Sequence, residues 1–158
     1  MRRKEREVKE TETIRQMLGE FKVCRLGLMD EGKVYVVPMN MGFDFDGKSL
    51  TLYFHCAKEG KKLDLIREKP SVGFEMDKEI ALVEGDTPCQ YSYSFMSIIG
   101  NGTAEIVEDA KEKSAAFEKI MKQQSGKEFD TFRKNPKLVE AAAIIKVTAG
   151  EYTCKRNI

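Results

Sequence analysis

The 158-residue chain (18.0 kDa) is 41% hydrophobic and 34% charged, the balance of a globular domain able to bury one core, and unlike that of a disordered or membrane-embedded segment. Lysine and arginine number 27 against 26 aspartate and glutamate, so a net charge of +1 gives no general attraction to nucleic acid or anionic lipid, and any anion site must be local. The start, MRRKEREVKETETIRQML, lacks the apolar stretch of a secretory leader, and no run approaches the ~18 apolar residues of a membrane span; a cytoplasmic protein forming a single domain over residues 1–158 is expected.

In chain order, Ile14, Met17, Leu18 and Phe21 make an i, i+3, i+4, i+7 stripe that predicts an amphipathic helix over about 10–20. VCRLGLMD and KVYVVPMNMGFDF, joined by a turn at Asp30 to Gly32, read as a β-hairpin, with Pro38 at an edge or bulge because it has no amide hydrogen. After the Asp46-Gly47-Lys48 turn comes a third strand, SLTLYFHC, in which Leu50, Leu52 and Phe54 alternate with Thr51, Tyr53 and His55. Leu63 and Ile66 predict a connector helix over about 59–68 that stops before Pro70.

Ser71 to Met76 and Gln90 to Val107 are β-rich, the second broken at Gly100 and Gly102 where a bulge is expected. Asp109 is a candidate cap for a helix over about 109–123 with Ala116, Phe117, Ile120 and Met121 on one side. Met121 to Lys137 is polar and reads as irregular, and AAAIIKVTAGEYTCK closes the chain as one strand or a strand pair. Strands dominate and helices flank them, which favours a mainly β fold, a β-barrel with flanking α-helices, over an alternating βαβ sheet.

The junction of the third strand and the connector helix carries the most chemistry. Lys58, Lys61 and Lys62 cluster around Gly60 where unpaired helix-start amides would already favour an anion. The same lysines also fit a solvated helix start. His55, the single histidine, lies on the strand face opposite Leu52 and Phe54, where imidazole can hydrogen-bond a ligand or deliver a proton, or simply be exposed. Pro38 releases backbone from regular pairing next to Asn40, a position that can edge-bind a heteroaromatic ring or merely mark a sheet edge. Tyr93, Phe95 and Ser97 in SYSFMSIIGNG suit a flat ring or a second subunit, or ordinary packing. Four scattered cysteines and one histidine write no metal site, and P-loop, dinucleotide-fold, hydrolase-elbow and zincin motifs are absent.

The blocks MRRKEREV, VCRLGLMDEGKVYVVPMNMGF, LYFHCAKEGKKLDLI, KPSVGFEM and SFMSIIGNGTAEIVED, in that order over residues 1 to about 110, resemble the nitroimidazole-resistance branch of the pyridoxamine 5′-phosphate oxidase-like flavoproteins, with LYFHCAKEGKK the most specific; the AAAIIKVTAGEYTCK tail resembles the family's closing strand. The resemblance implies an FMN-binding split β-barrel that binds FMN, with FAD less favoured, across a homodimer interface. It implies phosphate contacts at His55, Ala57, Lys58, Lys61 and Lys62, a ring-side segment at Pro38, Met39 and Asn40, and Ser97, Ile98 and Ile99 reaching the flavin from the other subunit. Lys61 and Lys62 stand where relatives often carry arginine, which replaces a bidentate grip by point charges. The implied activity is a flavin-dependent oxidoreductase using a small-molecule electron donor and a small acceptor such as a nitroaromatic, with His55 as its candidate catalytic group and no metal, nucleic acid or membrane partner. The alternatives are a non-catalytic flavin- or haem-binding barrel and a dimer with a vestigial pocket.

Overall fold

In the computed structural model, which describes residues 3–157, the chain enters through a two-residue strand, β1 (Glu7–Val8), and helix α1 (Thr11–Glu20). The first two residues of the MRRKEREV block lie outside the described residues. The stripe expected of α1 is realised: Ile14, Met17, Leu18 and Phe21 are buried in the main core. Its last turn has no apolar stop; instead Gln123, far along the chain, donates from Nε2 to the carbonyls of Leu18 and Phe21 at 2.9 and 2.6 Å, satisfying acceptors that a helix end leaves open.

β2 (Val23–Asp30) and β3 (Lys33–Phe45) pair in antiparallel register from Val23–Asn40 to Asp30–Lys33. Glu31 (φ 48°) and Gly32 (φ 84°) form the connecting turn, two left-handed residues whose twist suits a two-residue hairpin. β4 (Leu50–Cys56) pairs with β3 only over Met41–Phe45. From Lys33 to Asn40 the other edge of β3 therefore has no strand partner, and Pro38, opposite Arg25 of β2, sits in that one-sided stretch. Helix α2 (Lys61–Glu68) follows, then β5 (Ser71–Val83), β6 (Ser92–Ile106), α3 (Ala110–Ser125), α4 (Thr131–Lys134) and β7 (Ala143–Asn157).

The antiparallel sheet has the order β1-β7-β4-β3-β2-β5-β6, and β6 pairs back onto β7, so β2 to β7 close into a barrel. β1 pairs with the far end of β7 (Glu7–Lys155, Val8–Cys154) beyond the point where β4 leaves it. The register of β6 on β7 shifts between Gly100 and Gly102, the bulge expected there. Inward residues such as Leu26, Met41, Leu52, Phe54, Phe74, Met76, Ile98, Ile145 and Val147 fill the barrel, and α1 and α2 add Leu18, Leu63 and Ile66 to the same cluster. Among the described residues no helix is long and apolar enough to cross a membrane.

Two expectations need correction. β5 runs on from Met76 to Val83; residues 77–83 are exposed throughout, so no buried face imposes a period of two. α3 continues to Ser125 and is followed by α4 and a short 3-10 turn at Pro136–Val139, so Met121 to Lys137 is mostly ordered helix and not irregular. The closing run is one 15-residue strand, the first of the two forms expected of it. On the outer face of β4, Tyr53 is buried with Val107, Ala116, Ile120 and Ile144 in a second cluster under α3. Asp109 does cap α3, its carboxylate accepting from Glu112 N at 2.8 Å.

Candidate functional site

β4 ends at Cys56 and α2 starts at Lys61, and the segment between them turns outward through Gly60 (φ 135°, ψ 160°). No side chain caps α2; the amides of Leu63 and Asp64 return to the Gly60 carbonyl at 2.9 and 3.4 Å. The amides ahead of them, at Lys61 and Lys62, are thus left to solvent or to an anion.

Facing this junction is the one-sided stretch of β3. Val37, Pro38, Met39 and Asn40 together with His55, Cys56, Ala57 and Lys62 line a recess of about 330 Å³. Six of the residues implicated by sequence, Pro38, Met39, Asn40, His55, Ala57 and Lys62, therefore meet in one place. Met39 buries its side chain in the core and offers the recess its backbone. His55 is exposed at the end of β4 while Lys62 is half-buried.

The other five lie elsewhere. Lys61 points to the β2–β3 hairpin, where its Nζ is 2.5 Å from Asp30 and 5.1 Å from the ring centroid of Tyr35; the Asp30 carboxylate holds the ammonium above its ordinary pKa. Lys58 is exposed on the turn. Ser97, Ile98 and Ile99 belong to β6, with Ile98 fully buried in the barrel and Ile99 exposed outward. Outward positions pair in a row from Pro38 through Arg25 and Glu75 to Ile99. Three strand spacings of ~4.8 Å put Ile99 roughly 14 Å from the Pro38 edge of its own chain.

Several neighbours of the recess were not singled out by sequence. Cys56 and Val37 adjoin residues that were. Burial pushes the Cys56 thiol up, with Lys62 opposing the shift. The contributions of α3 had no local signal. The Phe117 ring lies 5.8 Å from the imidazole of His55, and Phe132 of α4 stacks on Phe117 at 5.1 Å. Asn40 donates from Nδ2 to Gln124 Oε1 at 3.0 Å, and Gln124 donates in turn to the carbonyls of Lys22 and Met41, both at 2.9 Å. Further along β4, the Tyr53 phenol donates to Asp44 at 3.1 Å and is pushed up to about 12 by burial and by that carboxylate, so it stays protonated and is no base for the recess.

Residues 10–156 match the model of the pyridoxamine 5′-phosphate oxidase family. The chain belongs to this family. No curated protein matches the sequence. Among solved structures, a candidate 5-nitroimidazole antibiotic resistance protein from Bacteroides thetaiotaomicron is 29% identical, with a TM-score of 0.77 over 94% of this chain and 85% of that one. An FAD and haem binding protein from Mycobacterium smegmatis (14% identity, TM-score 0.79, 96% of this chain and 73% of that one) and the flavocytochrome Anf3 from Azotobacter vinelandii (19%, 0.74, 96% and 69%) share the fold. Membership in the pyridoxamine 5′-phosphate oxidase family agrees with the closed antiparallel barrel, and the matched span takes in every strand except β1. The whole recess lies within that span.

Proposed function

We propose that the chain binds FMN at the recess as a homodimer and works as a flavin-dependent reductase, moving electrons from a small-molecule donor such as a reduced nicotinamide to a small acceptor such as a nitroaromatic. The observation that carries this reading is the meeting of two unlike walls in one recess: a strand edge without a partner at Pro38 to Asn40, and an uncapped helix start bearing Lys62. The first suits the edge of a flat heteroaromatic ring, the second a phosphate.

The donor set fits the nucleotide. Lys62 and the amides of Lys61 and Lys62 would hold the phosphate, with Lys58 nearby on the turn. The Lys61 ammonium would join them by leaving Asp30, an exposed pair of the kind that holds weakly. Pro38, Met39 and Asn40 would lie along the ring, Asn40 presenting its amide and Met39 its backbone. His55 would fix the cofactor or hold a proton at an imidazole nitrogen for transfer to the acceptor. When bound, FMN would supply the hydride and electron chemistry, the protein contributing orientation and access.

A second copy completes the arrangement. Ile99 is too far along the outer row to reach the recess of its own chain, whereas a two-fold partner laid on that row would bring its own Ser97 to Ile99 segment to it. The 29% identity to the Bacteroides thetaiotaomicron protein named for nitroimidazole resistance supports the choice of acceptor class.

Absorbance of the purified protein tests the cofactor, with the released group identified by mass. Flavin bands from FMN are expected; a Soret band without them would move the protein to haem carriage, and no chromophore after incubation with FMN would leave the pocket vestigial. Lys62→Gln should weaken FMN binding by roughly 10- to 100-fold, the range for a hydrogen bond to a charged group, and His55→Ala should reduce retention. Turnover with a reduced nicotinamide and a nitroaromatic then separates an enzyme from a carrier.

A further inference from the structure

One helix touches two sides of the recess, Asn40 on β3 and His55 at the end of β4. Phe117 and Gln124 lie two turns apart on α3, and a spacing of seven residues puts them on the same helix face. Gln124 fixes Asn40 by accepting from its Nδ2, while spending its own Nε2 on the Lys22 and Met41 carbonyls. Phe117 sets its ring against His55 at 5.8 Å with a 42° tilt, within the range of favourable aromatic pairs.

His55 needs such a contact more than most site residues. It is exposed near the end of β4, and no hydrogen bond from its ring to another described residue constrains it. An exposed strand side chain exchanges between rotamers, and ordering it when a ligand arrives costs binding energy. Phe117 is itself held on its far side. Phe132 stacks on it at 5.1 Å and 30°, and Ser114, buried on α3, donates to the Phe132 carbonyl at 3.2 Å. Arg133 clamps α4 to α3 through both oxygens of Glu118, at 2.8 and 2.7 Å. The helix in turn is seated by Lys119 on Asp44 at 2.5 Å and by Ile120 in the second core cluster.

We infer that Phe117, backed by Phe132, is a positioning residue that fixes the His55 imidazole at the recess, so that the α3–α4 corner sets the geometry of the site from outside it. The inference about the ring contact stands on the structure; its consequence for FMN rests on the proposed cofactor reading.

The chain has one histidine, so its ring protons are resolved by NMR in the flavin-free protein without assignment. In Phe117→Ala and Phe117→Leu these resonances should move toward free imidazole, while Phe117→Tyr should keep them; the leucine variant retains most of the buried volume, which guards against simple unfolding. FMN titration supplies the second arm as a double-mutant cycle. Phe117→Ala should weaken FMN binding roughly twofold to tenfold, the worth of an aromatic pair, and should add nothing in a His55→Ala background. Unmoved histidine resonances in both the alanine and leucine variants would overturn the inference, as would an equal loss of FMN affinity with His55 present or absent. If the wild-type protein takes up no FMN, the cofactor reading fails by itself, and the NMR arm still decides the positioning.

Discussion

At Gly60 the backbone takes φ 135° and ψ 160°, a region open essentially to glycine alone. A Cβ there would meet nothing within 4 Å, so the requirement comes from the turn itself and not from crowding. Gly60→Ala should therefore cost about 1–3 kcal/mol, lowering the melting temperature by roughly 3–10 °C. It should also weaken FMN binding, because a relaxed turn redirects the Lys61 and Lys62 amides. A calorimetric scan and an FMN titration check both, and full affinity in a destabilised variant would remove the helix start from the site. The HCAKEGKK segment was legible because its cue is local: a strand ends, a glycine turns, and lysines gather within a few residues. What those residues left open was which lysine faces the recess. Lys62 does and Lys61 does not, a choice made by Asp30 and Tyr35 on a hairpin some thirty residues earlier in the chain.

Helix α3 packs its backbone directly against Gly42 of β3. A Cβ on Gly42 would sit 2.5 Å from Ile120 N and 2.7 Å from the Lys119 carbonyl carbon. These are backbone atoms of a helix and cannot turn aside as a flexible side chain can. Gly42→Ala should lift α3 from the sheet at a cost of about 1–3 kcal/mol, the range for overpacking a close contact. The displaced helix would carry Phe117 and Gln124 with it, so the urea midpoint should fall and FMN affinity should fall too. Unchanged stability would mean that the helix re-seats without strain. The existence of α3 was readable from the Asp109 cap and its apolar side, but its reach was not. Its last turns hold Gln123 and Gln124, whose work is hydrogen bonding to α1, Lys22, Met41 and Asn40, and no hydrophobic period marks such residues. The far half of β5 was hidden for the opposite reason, since it pairs with β6 while burying neither face.

On the scale of the whole molecule, barrel closure leaves one outer face without cover. Val34 (68% exposed), Val36 (56%), Met29 (40%) and Ile99 (55%) stand outward on β2, β3 and β6, and the extended β5–β6 hairpin adds Leu82 and Tyr93. Between them Gly27 and Gly73 pair across β2 and β5 with no side chains to raise the surface. Exposed apolar side chains on one face, crossed by the Arg25 pairs with Glu75 and Asp77, favour association on a chain of near-zero net charge. The Pro38 to Ile99 row runs across the same face, so a dimer formed there would reach the recess, and a standard interface removes about 800 Å² from each partner. Val36→Glu tests this with little risk to the fold, because the side chain already faces solvent and makes no contribution to the barrel core. The wild-type chain should run at twice 18.0 kDa in light scattering, and the variant as a monomer with an unchanged circular dichroism spectrum. Burying an added carboxylate there is costly enough to shift the equilibrium, because Arg25, one outward pair along β2, is already engaged by Glu75 and Asp77. The monomer should also hold FMN less tightly, since it would lack the Ser97 to Ile99 segment of a second copy. A monomeric variant with undiminished FMN affinity would confine the whole site to one chain, and a dimeric variant would place the two-fold axis away from this face.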